Sequence, residues 1–103
     1  MEEADRTGRT FLVEHYWPGV TPEVFRDAAV RVRASAEALG KERIAFLHST
    51  LVPEDEAAFC VFSASSVELV VEAYDRAGVR FERILDALEL DHDGGFAVQD
   101  ASP

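Results

Sequence analysis

The chain of 103 residues contains one cysteine, one tryptophan and four prolines, and its basic residues are half as many as its acidic ones. A lone cysteine, Cys60, excludes an internal disulfide, so nothing in the sequence requires an oxidising compartment. Ten Lys and Arg against twenty Asp and Glu leave a formal charge of −10. Clustered cations supply most non-specific affinity for nucleic acid and for anionic lipid, and this balance opposes both. No stretch approaches the ~20 apolar residues of a membrane span. The opening Met1-Glu2-Glu3-Ala4-Asp5 is acidic where a secretory leader is basic. These absences lead to an expectation of a cytoplasmic protein with no nucleic-acid and no membrane partner.

What is present is a globular composition, 48% hydrophobic and 29% charged, of a length that suits one domain. Apolar patterning is confined to residues 9–90. Residues 1–8 and 91–103 are polar, and are expected to form a disordered N-terminal tail and a flexible C-terminal one.

Within 9–90, Thr10 to Trp17 is β-branched and aromatic and stops at Pro18-Gly19, which predicts a strand and a turn. Thr21-Pro22-Glu23 is a helix start: a hydroxyl cap, proline at the first position, and an acid near the positive end of the dipole. A stripe at helical spacing follows through Val24, Phe25, Ala28, Ala29, Val32, Ala36 and Leu39, closed by Gly40. Ile44 to Val52 and Ala57 to Ala64 predict a hairpin around Pro53-Glu54-Asp55-Glu56. Ser65 with Glu68 predicts a capping box for a second helix, striped by Val67, Val70, Val71, Tyr74 and Ala77 and ended by Gly78. Glu82 to Leu90 predicts a last strand. The order β-α-β-β-α-β is the split βαβ pattern of the α+β, ferredoxin-like fold, a four-stranded antiparallel sheet with both helices on one face.

Strands covered on one face alternate apolar and polar. Here Phe11-Leu12-Val13 and Ile44 to Leu47 are consecutive apolar runs, and Ala57 to Phe62 carries no charge. Either parity leaves a large apolar area in water, which predicts a homodimer through the open sheet face, a dimeric α+β barrel.

Ionisable residues within strands are the candidate site, because burial is costly for them without partners. Glu14 and His15 are mid-strand on opposite faces, His48 is mid-strand in the second strand, and Asp86 lies in the fourth. His15 and His48 have the parity to share a face if the register allows. Then a divalent metal could be held there with Glu14, Cys60 or groups from a second subunit, since imidazole, thiolate and carboxylate all suit late first-row metals. The competing reading is two histidines satisfied by backbone or acid partners. No contiguous metal signature decides between them. Asp91-His92-Asp93 reads as a solvated acidic linker, Cys60 as an inert core thiol, and Tyr16, Trp17 and Tyr74 as packing residues. Arg31 and Arg33 read as a solvated helix face.

The first-strand run Phe-Leu-Val-Glu-His-Tyr-Trp-Pro-Gly-Val-Thr, the Pro-Glu turn before Phe-Cys, and the Arg-Ala-Gly helix end together resemble one family. It is the family of small ferredoxin-like proteins long catalogued as a domain of unknown function, which includes homodimeric nickel-binding members. The resemblance spans about residues 10–90. It implies a dimeric barrel with metal sites made by histidines, onto which His15 and His48 map, and Glu14 conditionally. The nickel-binding branch has adjacent histidines at the positions of Glu14 and His15. A histidine near the end of its second helix falls at Tyr74, and Val79 also replaces a potential ligand. The expectation is a non-enzymatic homodimer binding nickel or another divalent transition metal through His15, His48 and Glu14. The alternatives are a small-molecule site, catalytic or not, in the cleft between sheet and helices, with Glu14 or His15 as acid or base and Tyr16 and Trp17 shaping the pocket, or a plain interaction module.

Overall fold

The computed structural model describes residues 8–90. The strands and helices are β1 (Arg9–Tyr16), α1 (Pro22–Leu39), β2 (Ile44–Val52), β3 (Ala57–Ala64), α2 (Val67–Ala77) and β4 (Arg83–Ala87). The four strands form one antiparallel sheet in the order β2-β3-β1-β4, the ferredoxin-like arrangement. No helix is long and apolar enough to cross a membrane among these residues. The tails expected at 1–8 and 91–103 lie, Gly8 apart, outside the described residues, as does Asp91-His92-Asp93.

Local chemistry explains each boundary. Thr21 caps α1, its hydroxyl accepting from the Val24 N–H at 3.2 Å, and Pro22 takes the first helical position. The buried stripe of α1 is Phe25, Ala28, Val32, Ala36 and Leu39, whereas Val24 faces water. α2 begins one residue later than the capping box implied: Ser66 is the cap residue, and it makes no side-chain cap bond. α2 ends at Gly78, whose φ of +69° is a left-handed geometry that favours glycine. There the Val79 N–H returns to the Tyr74 carbonyl and the chain turns towards β4.

Both helices pack on the same side of the sheet, closing a core around Phe11, Val13, Cys60, Phe62, Val70 and Tyr74. The register sorts the side chains into two faces. Ile84, Val13, Cys60 and Ser49 form one cross-strand row on the helix side, and Leu85, Leu12, Val61 and His48 form a row on the open side.

Two departures from the expected pattern matter for function. β2 carries a bulge at Leu47: Phe46 pairs with Phe62, but His48 pairs with Val61 rather than Cys60. One extra residue reverses the sides of everything after it. The other departure is at the end of β4, which stops at Ala87 and does not continue to Leu90. Beyond it the chain turns over the open face, since Glu89 reaches His48 on the opposite edge strand. Leu88 and Leu90 are left 73% and 61% exposed on that segment.

Candidate functional site

The three residues expected to share a metal are not brought together within one chain. His15 points into the core from β1 and is buried; His48 and Glu14 stand on the open face. The bulge at Leu47 is the physical reason, because an unbroken β2 would have placed His48 opposite Cys60, on the side of His15.

Both ring nitrogens of His15 are engaged. Nδ1 lies 3.0 Å from the Ala58 carbonyl, which only accepts, so Nδ1 carries the proton. Nε2 therefore holds the lone pair and accepts from the Tyr74 hydroxyl at 2.9 Å. Tyr74 also neighbours Cys60, where a hydrogen bond from the phenol favours the thiolate form. Tyr74 and His15 thus form a buried polar chain ending on the β3 backbone at Ala58. Burial pushes the Cys60 thiol up to about 11, against the opposing effect of the Tyr74 bond, so the thiolate is scarce at neutral pH. Burial, reinforced by Cys60, raises Tyr74 far above the ordinary phenol range.

Burial also lowers the pKa of His15, partly offset by the Ala58 bond. The sign follows from linkage. As pH falls below the ordinary histidine value of 6.5, the unfolded chain takes up a proton that the folded ring resists. Stability is therefore full above about pH 6.5 and declines as pH falls through that value towards the lower folded pKa. Urea midpoints at pH 7.5 and 5.5 are expected to fall with pH in the natural protein and to differ less in His15→Gln.

Glu14 is held by Arg83, whose Nε and a terminal nitrogen reach its two carboxylate oxygens at 2.7 and 3.3 Å. Those bonds hold its carboxyl below the usual carboxylate range. His48 finds an acid partner in Glu89, with Nε2 4.0 Å from Oε2 and side chains 58% and 40% exposed. Asp86 pairs with Arg9 at 2.9 Å. Among the described residues no group of three or more His, Cys, Asp or Glu is placed to hold a metal ion.

Beside His15, at the end of the sheet, lies a cavity of about 380 Å³ between the end of β1 and the α2–β4 connection. Trp17, Arg31, Arg80, Phe81 and Glu82 line it with His15. Tyr16 and Trp17, which the small-molecule alternative expects to shape a pocket, both line it, whereas Arg31 was expected to be merely solvated. Arg80 and Phe81 carried no signal in the sequence, and neither did Glu89, because tertiary folding alone brings them to these places.

Residues 11–86 match the sequence profile of the nickel-responsive SCO4226-like proteins. The chain belongs to that family. Among solved structures, SCO4226 from Streptomyces coelicolor A3(2) superposes with a TM-score of 0.66 at 22% identity, covering 76% of this chain and 94% of that one. At that identity the superposition establishes the shared fold. No curated protein matches the chain. The family membership agrees with the resemblance carried by the first strand, the hairpin turn and the end of α2. Against the family's name, His15 in this member offers no free nitrogen, and its Nε2 becomes available only if Tyr74 gives up its hydrogen bond.

Proposed function

We propose that the protein is a non-enzymatic homodimer, joined through the open sheet face, that binds a divalent transition metal such as nickel through His48. The observation that carries this reading is the 4.0 Å separation of His48 Nε2 and Glu89 Oε2 on that face. It is too long for a hydrogen bond and about twice a metal–ligand bond of ~2 Å, so a cation fits between the two atoms. Imidazole with carboxylate suits nickel, cobalt and zinc. Glu14 stands on the same face as a further carboxylate, released for a metal only if it leaves Arg83.

Two or three donors are too few for a closed coordination shell, and a twofold dimer doubles them. The open face favours such a dimer: half-buried Leu12 and Leu85 lie at its centre, and Leu88 and Leu90 stand exposed on the segment that follows β4. His15 serves the core in this reading. The non-enzymatic assignment rests on the same geometry, since His15 has both nitrogens committed, Cys60 is buried, and Glu14 faces away from the cavity.

Calorimetry of metal-free protein with Ni²⁺, Co²⁺ and Zn²⁺ tests the site. Binding of at least one metal is expected, lost in His48→Ala and weakened about tenfold in Glu89→Gln. No binding of any of the three, or equal binding by His48→Ala, removes the proposal.

A further inference from the structure

The cavity beside His15 is unlike the rest of the molecule in charge. The chain carries −10, yet two of its ten basic residues, Arg31 and Arg80, converge on this one hollow, against a single lining carboxylate, Glu82. Arg31 has Asp27 at 3.5 Å one helical turn away. Arg80 has no carboxylate within salt-bridge distance among the described residues. The neutral ring of His15 adds no charge. Two guanidiniums and no free imidazole nitrogen make this a poor place for a metal dication. They make a good place for a carboxylate, which a guanidinium fork can hold by two parallel hydrogen bonds.

The walls say what should be attached to that carboxylate. Trp17 and Phe81 line the hollow from opposite strands of the connection, one following β1 and the other preceding β4. Neither is loose. The main-chain N–H of Trp17 is tied to the Glu56 carbonyl at 2.7 Å, and the Phe81 ring packs edge-on against Tyr74 with centroids 5.2 Å apart. Both side chains also pack against the core cluster. Flat, pre-positioned aromatic surfaces favour a flat partner, at little cost in side-chain ordering. A volume of about 380 Å³ lies at the small end of the range for organic ligands.

We propose that this cavity binds a small aromatic carboxylate, with its ring against Trp17 and Phe81 and its carboxylate on Arg80 and Arg31. The site is on the helix side of the sheet end and uses neither His48 nor Glu89, so it stands or falls separately from metal binding.

The protein reports on the site itself, because Trp17 is its sole tryptophan. Titration with benzoate, followed by Trp17 fluorescence, is expected to saturate at about millimolar concentration, as suits so small a probe. Benzamide, which keeps the ring and removes the charge, is expected to bind at least about tenfold more weakly. Arg80→Gln should weaken benzoate by a similar factor. Arg33→Gln, on the same helix as Arg31 but paired with Glu37 away from the cavity, should leave it unchanged. Circular dichroism of each variant confirms that the fold is intact. A fluorescence response that does not saturate overturns the proposal. So does benzamide binding equal to benzoate, or an Arg80→Gln variant that binds benzoate like the natural protein.

Discussion

Tyr74→Phe is expected to lower the stability of the protein by about 2 kcal/mol, a fall in melting temperature of roughly 10 °C for a domain of this size. The ring is retained, so its contacts with Phe62 and Phe81 survive and no large cavity opens. What goes is the one oxygen that serves the buried ring of His15. His15 Nε2, on a ring only 5% exposed, loses its only donor. An unsatisfied buried acceptor costs more than a hydrogen bond contributes on balance, which is why the effect of one atom is large. A second substitution separates this cause from simple repacking. In the double variant Tyr74→Phe, His15→Phe, the ring nitrogen that was stranded is gone, and part of the loss should return despite the larger change in sequence. Chemical denaturation of the two single variants and the double one gives the coupling directly. A Tyr74→Phe protein within about 0.3 kcal/mol of the natural one would show that the buried chain contributes nothing measurable.

The second large effect concerns assembly. Replacing both Leu88 and Leu90 with glutamate is expected to convert a dimer into a monomer without unfolding it. Each leucine is well exposed in the single chain, so the monomer has little to lose. In a dimer built on the open face the same side chains leave water. Full burial of a leucine contributes about 2 kcal/mol, and a twofold interface counts each residue twice. Even half burial of the four side chains then amounts to ~4 kcal/mol, about a thousandfold in the dissociation constant. Carboxylates forced into the same contact add to the loss. Sedimentation equilibrium at micromolar concentration reads the result. A natural protein that sediments as a monomer, or a doubly substituted one that stays dimeric, would rule out the open face as the interface.

The fold was legible because its signals are local. Thr21-Pro22 opens a helix by its own chemistry, Gly78 ends one by its backbone freedom, and the stripe through Phe25, Ala28, Val32 and Ala36 needs no partner to be recognised. The fourth strand was read too long because Leu88 and Leu90 extend the apolar alternation of β4 beyond the point where the chain leaves the sheet. The candidate site was legible only as a set of residue types. His15 is legible as a strand histidine satisfied by some backbone partner, which the fold supplies at Ala58, but the face of His48 depends on a bulge at Leu47 that leaves no trace in the uniformly apolar run before it. The cavity was less legible still. Arg31 on α1 and Arg80 beyond α2 are far apart in the chain, and only the packing of the two helices on one sheet brings them to the same hollow.

The bulge has one more consequence. From His48 to Val52, each residue of β2 owes its side of the sheet to the presence of Leu47, whose own side chain remains half exposed and packs little. Leu47 thus acts as a spacer whose worth is its backbone alone. Shortening β2 by that residue would turn the remainder of the strand by half a revolution and place His48 opposite Cys60, on the side of the sheet that holds His15. Whether His15 and His48 can ever meet within one chain is decided by the length of one strand, before the identity of any ligand enters.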